Sequence, residues 1–271
     1  MTKNVDKDAK LVTGMIENGS EIAGAMTGAA ISLIGGPASI IGGATAGAAL
    51  TAVLKKVGAD VRRQVLSPRE EVRIGATLAF AGSAIAEYLA AGKEPRDDFF
   101  GATSTKTKRR TVADELLEGV LTQARDAYEE KKLPFLGNLY ANIAFHPEIT
   151  PAQANHLIAL AGQLTYRQLI GLYFARVQEK TGSILRDKDF RGDSAAQDRL
   201  GLNGISLVTE LYDLYQRGLI HGSDGAAWIS ASDVNPGDMR TQGSGSVLMQ
   251  LMGIKISDED LQEFTSLFPK G

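Results

Sequence analysis

IAGAMTGAAISLIGGPASIIGGATAGAALTAVL, residues 22–54, is a run of 33 residues without a charge. Glu21 bounds it on one side, Lys55 and Lys56 on the other. It holds seven Gly and ten Ala, with ten larger apolar residues, five Ser or Thr, and Pro37. A helix that crosses a bilayer needs about 20 apolar residues, so the run suffices for one tilted span. It can equally fold into a tight hairpin at Gly35-Gly36-Pro37, where paired glycines and proline break a helix. The small residues are ordered. Gly24, Gly28, Ser32 and Gly36 fall at four-residue spacing, and Ser39, Gly43 and Gly47 repeat it. On a helix that spacing makes a smooth groove along one face, through which backbones can approach closely. In water each interior glycine costs about 1 kcal/mol against alanine. In lipid the backbone must satisfy itself, so helix is enforced and groove packing offsets part of that cost. The rival reading is an Ala/Gly-rich helical hairpin buried in a soluble oligomer.

The rest of the chain is ordinary in composition. At 44% hydrophobic and 23% charged, its 271 residues are those of a folded protein. Cysteine is absent, which excludes a disulfide framework, a zinc knuckle and a thiol nucleophile. Residues 22–54 are too long for a secretory h-region, and Asp6, Asp8, Glu17 and Glu21 spoil a basic leader. Lys55, Lys56, Arg62, Arg63, Arg69 and Arg73 follow the run, while only Lys3, Lys7 and Lys10 precede it. The positive-inside bias therefore expects the large C-terminal part to lie in the cytoplasm. Leu11, Val12, Met15 and Ile16 make the 1–21 lead a short amphipathic stripe, fit for a membrane surface or a neighbouring subunit.

Downstream, helix punctuation dominates. Ser67-Pro68-Arg69-Glu70 is a capping box with proline at the first helical position, and Gly92 closes the helix. Residues 74–86 within it are uncharged, too short to span and better buried. Thr111 with Asp114 starts a helix expected to reach about Lys132. Thr150-Pro151-Ala152-Gln153 and Thr165-Tyr166-Arg167-Gln168 open two more, the second running to about Lys180. The polar, basic stretch between Gly92 and Thr111 reads as a domain boundary. The expected organisation is a lead at 1–21, a transmembrane or pore segment at 22–54, juxtamembrane helices and basic linker at 55–110, a helical body at 111–190, and a small α+β unit at 191–271.

That last unit expects a helix to Arg217, stopped by Gly218, then a hairpin of Leu219-Ile220-His221 with Ala226-Ala227-Trp228-Ile229. An apolar helical patch, Val247-Leu248-Met249-Leu251-Met252, and a helix opened by Ser257-Asp258-Glu259-Asp260 complete a winged-helix-like pattern. Charge argues against duplex DNA as its partner. Residues 191–271 carry six Lys/Arg against eleven Asp/Glu, and duplex affinity rests on neutralising phosphates. Assembly is the better role.

Catalytic motifs are missing. There is no Walker loop, no Gly-x-Ser-x-Gly elbow and no His-Glu-x-x-His. His146, His156 and His221 lack metal spacing. We expect no enzyme, no cofactor and no metal. Positive charge instead gathers before residue 111, with 15 Lys/Arg against 11 Asp/Glu. Arg62, Arg63, Lys106, Lys108, Arg109 and Arg110 either anchor anionic headgroups or bind an anionic ligand such as a nucleotide or a short single strand.

A resemblance adds to this reading. Residues 129–144, EEKKLPFLGNLYANIA, then His146-Pro147 and Ala159-Leu160-Ala161-Gly162-Gln163-Leu164-Thr165, resemble the Abi-alpha group of bacterial abortive-infection proteins. Asp198-Arg199-Leu200-Gly201-Leu202 and Tyr215-Gln216-Arg217-Gly218-Leu219-Ile220 are similar to the end of that group, so the likeness covers residues 116–253. With the glycine-rich leader, the layout resembles membrane effectors of anti-phage systems, the Hailong channel effectors among them. The resemblance implies a channel held shut by short DNA that a partner nucleotidyltransferase makes, and no active site. A homo-oligomeric pore lined by Thr27, Ser32, Ser39, Thr45 and neighbouring glycines would gate by dewetting. A soluble helical scaffold, or a winged-helix regulator, is the alternative.

Overall fold

The structure, a computed structural model, describes residues 52–54, 56–58, 60, 66–99, 110–181, 200–223, 225 and 227–268. These are mainly helical and fall into two compact units, divided between Gln163 and Leu164. Among the described residues, no helix is long and apolar enough to cross a membrane.

Local capping chemistry sets the first unit's helices. Helix α1 spans Pro68–Ala90. The Ser67 hydroxyl accepts from the Glu70 N–H, and the Glu70 carboxylate accepts from the Ser67 N–H at 2.7 Å. Past its C-terminus Gly92 takes φ +74°, a conformation that L side chains resist. Helix α2, Val112–Arg125, opens on the matching Thr111/Asp114 box. Helices α3, Leu133–Ile143, and α4, Pro151–Gln163, complete the unit. The uncharged face of α1 is buried as expected, through Ile74, Ala76, Leu78, Ala79, Ala81 and Ile85. It packs chiefly on α3, while α2 packs on both α4 and α1. The polar stretch after Gly92 therefore joins helices of one unit and does not separate two.

Two differences from the sequence reading arise here. Helix α2 stops at Arg125, well short of Lys132. Arg73 of α1 reaches across and donates Nη1–H to the Arg125 carbonyl at 3.1 Å, satisfying a terminal acceptor. Pro134 then requires a first helical turn, where its missing N–H costs nothing, so a new helix begins at Leu133.

Gly137 fixes how closely α1 and α3 meet. A Cβ there would lie 2.7 Å from the Thr77 carbonyl oxygen and 2.9 Å from the Ala81 nitrogen, both backbone. Gly137→Ala should cost about 2 kcal/mol, an overpacking penalty near 3 less about 1 gained in helix propensity. Gly162→Ala is the contrast. The three atoms nearest its Cβ all belong to the Gln123 side chain, which can change rotamer, so the urea midpoint should move far less than for Gly137→Ala. Equal midpoints for the two variants would refute the backbone-contact argument.

The second unit is built on helix α5, Tyr166–Thr181, opened by a Thr165/Gln168 box. Helix α6, Gly201–Gln216, lies against it and ends before Gly218, φ +67°. Arg167 grips Glu210 through two donors, and Gln168 donates to Asp213 at 2.7 Å. Helix α7 is Gly243–Leu251 and helix α8 is Asp258–Ser266. Phe174 of α5 meets Phe264 of α8 at 5.5 Å between ring centroids. The α5 helix, which the sequence placed in a 111–190 body, thus packs with the C-terminal elements.

The strands differ from expectation as well. Strand β1, Ile220–Gly222, pairs antiparallel with β2, Met239–Thr241, in the register Ile220 to Thr241. Residues 227–229 form no strand. Trp228 turns inward to 3% exposure against Tyr215, 4.9 Å between ring centroids. The Asp233 carboxylate takes the N–H groups of Ile229 and Ser230, so neither is left for a ladder.

Candidate functional site

The groove residues Gly24, Gly28, Ser32, Gly36, Ser39, Gly43 and Gly47 lie outside the described residues, as do Arg62, Arg63, Lys106, Lys108 and Arg109. Of the six basic residues chosen from sequence, Arg110 is described. Its guanidinium pairs with Glu118 of α2, which holds it charged above its ordinary range.

What the structure does place is the end of the neutral run. Residues 52–54 and 56–58 are helical. Val53, Leu54 and Val57 are buried at 7%, 2% and 2% exposure. Their spacing, i, i+1 and i+4, puts them on one helical face. A Cβ on Gly58 would stand 3.0 Å from the Leu78 Cδ1 of α1. The last residues of the neutral run are therefore core of the first unit.

Lys56 sits among them and reaches the N-terminus of α2. Its ammonium donates to Asp114 Oδ2 at 2.7 Å. The lysine side chain is 57% exposed and the carboxylate 3%. Asp114 also accepts from the Thr111 N–H at 3.0 Å as the third residue of its helix. Burial alone would raise its carboxyl pKa. The Lys56 ammonium and the Thr111 N–H and hydroxyl outweigh that and hold it below the ordinary value. Nearby, Tyr140 is wholly buried and donates its hydroxyl to the Ala113 carbonyl. Burial first, and the Asp114 charge second, push its phenol far up.

One buried cation is accounted for by the fold. Lys132, 5% exposed, donates Nζ–H to the Gly162 carbonyl at 3.0 Å and so caps the C-terminus of α4. Burial lowers its pKa, opposed by Glu129. His146 pairs with exposed Glu148, 2.7 Å away. His221 sits in β1 opposite Arg240. Among the described residues, no group of acidic residues and histidines could hold a metal.

Sequence reading found Lys56 only as a boundary charge and Asp114 only as a helix start. Fifty-eight residues separate them, and no spacing rule joins residues that far apart. Comparison of the chain with protein-family models, with curated proteins and with solved structures found no match.

Proposed function

We propose that this chain is a homo-oligomeric, channel-forming membrane effector of bacterial anti-phage defence, seated in the inner membrane with its bulk cytoplasmic. Its helical body governs the channel through an anionic ligand, either a nucleotide or a short single strand of DNA from a partner nucleotidyltransferase. It permeabilises the membrane and catalyses no reaction. The observation that carries this reading is the neutral, glycine-grooved run. With residues 52–54 given to the body, thirty uncharged residues remain from 22 to 51. As helix they extend about 45 Å, against a hydrocarbon core of about 30 Å. A lone thin helix encloses no water, so the pore needs several copies. The acidic, winged-helix-like C-terminal unit serves assembly, since its charge disfavours duplex phosphates.

Membrane fractionation with dye release tests this. The intact chain should pellet with membranes, resist an alkaline wash, and release dye from vesicles of phosphatidylethanolamine and phosphatidylglycerol. Added oligodeoxynucleotides should change the release rate. A chain that stays in the supernatant and leaves vesicles intact would be the soluble scaffold or, if it binds duplex DNA, the regulator.

A further inference from the structure

Two residues past the neutral run, Lys56 pairs with Asp114 of the folded body. We infer that the Lys56–Asp114 ion pair is a coupling joint, fastening residues 52–58 to the N-terminus of α2 so that the body restrains the run. The consequence for permeability rests on the channel reading above; the joint itself does not.

Three features support it. The first is placement: Lys56 is two residues beyond the run, and its partner begins a helix packed on both α1 and α4. A pull on the run is thus delivered to the centre of the first unit. The second is asymmetry. The lysine is more than half exposed, whereas Asp114 is 3% exposed. An ammonium released to water regains its hydration, whereas among the described residues the buried carboxylate is left with the Thr111 N–H as its donor. The joint therefore favours closure strongly and opens from the lysine side. The third is the apolar seat beneath it. Val53, Leu54 and Val57 are buried, and a Cβ on Gly58 would stand 3.0 Å from Leu78 Cδ1. Set on that seat, the ion pair can open locally before the unit unfolds.

Lys56→Glu tests the joint in the full chain reconstituted in vesicles. It sets a carboxylate against the buried Asp114 and leaves the Thr111/Asp114 capping box untouched. Amide exchange of residues 52–58 should quicken by about tenfold, the weight of one hydrogen bond to a charged group. Protection of α2 should stay at the wild-type level, which doubles as the check on folding. Lys56→Arg should restore slow exchange. Dye release without added oligonucleotide should rise by about tenfold in Lys56→Glu. Unchanged exchange at 52–58 overturns the joint. Faster exchange with wild-type release from a leaking wild type overturns the coupling and leaves only an anchor. No release from any variant overturns the channel reading and the coupling with it, while exchange still decides the anchor.

Discussion

Gly28→Leu and Gly43→Leu should each abolish dye release while the chain still pellets with membranes. The two glycines sit in the middle of the two small-residue series, Gly24-Gly28-Ser32-Gly36 and Ser39-Gly43-Gly47. In lipid no hydrophobic force drives helices together, since the acyl chains are as apolar as leucine. Association depends on close van der Waals contact, and a branched four-carbon side chain in the groove forces the backbones apart. Insertion should survive, because leucine improves transfer into hydrocarbon. Ala30→Leu introduces the same side chain off the face that carries Gly28, about 200° round the helix. It should release dye like the wild type. Release retained by both glycine variants, or lost in all three, would show that the groove is not the contact.

The parts of this fold written in short-range chemistry were readable. Ser67, Thr111, Thr165 and Ser257 each meet a partner three residues on, and the four helix starts fall where those residues place them. Glycines in the left-handed region stop α1 and α6 for a reason equally local. Failures came where a distant residue decides. Arg73, from another helix, satisfies the Arg125 carbonyl at the end of α2. Trp228 is apolar, next to Ile229, and looks like strand, yet its burial against Tyr215 draws the segment out of any ladder. The division at Gln163 carries no linker signal, only a capping box, whereas the polar stretch that reads like a linker runs inside one unit. The candidate site divides likewise. The groove is a periodic pattern of the sequence, and its residues lie outside the described ones. The Lys56–Asp114 joint links two charges that, one at a time, look like solvated surface.

Arg96→Ala should destabilise the first unit by about 3 kcal/mol, roughly 1 for each of three backbone carbonyls left without their donor. Arg96 lies in the polar stretch after α1, and its side chain is 2% exposed. Every N–H of the guanidinium is used. Nε and Nη2 donate to Asp98 at 2.7 Å each, Nη2 also to the Pro147 carbonyl, and Nη1 to the carbonyls of His146 and Ile149. The cation stacks 3.5 Å from the Phe99 ring centroid. Asp98, its carboxyl held below the ordinary range chiefly by the Arg96 hydrogen bonds, is 56% exposed and would rehydrate. The loss therefore comes from the α3–α4 turn, where three carbonyls would lose their donor. At about 2–4 °C per kcal/mol the first unit's melting transition should fall by roughly 10 °C. Arg96→Lys keeps the charge but offers three donors from one point, which cannot span a carboxylate and three carbonyls at once. It should recover less than half of the loss, and amide protection in residues 144–149 should stay low. A lysine variant that melts with the wild type would show that charge alone holds the turn.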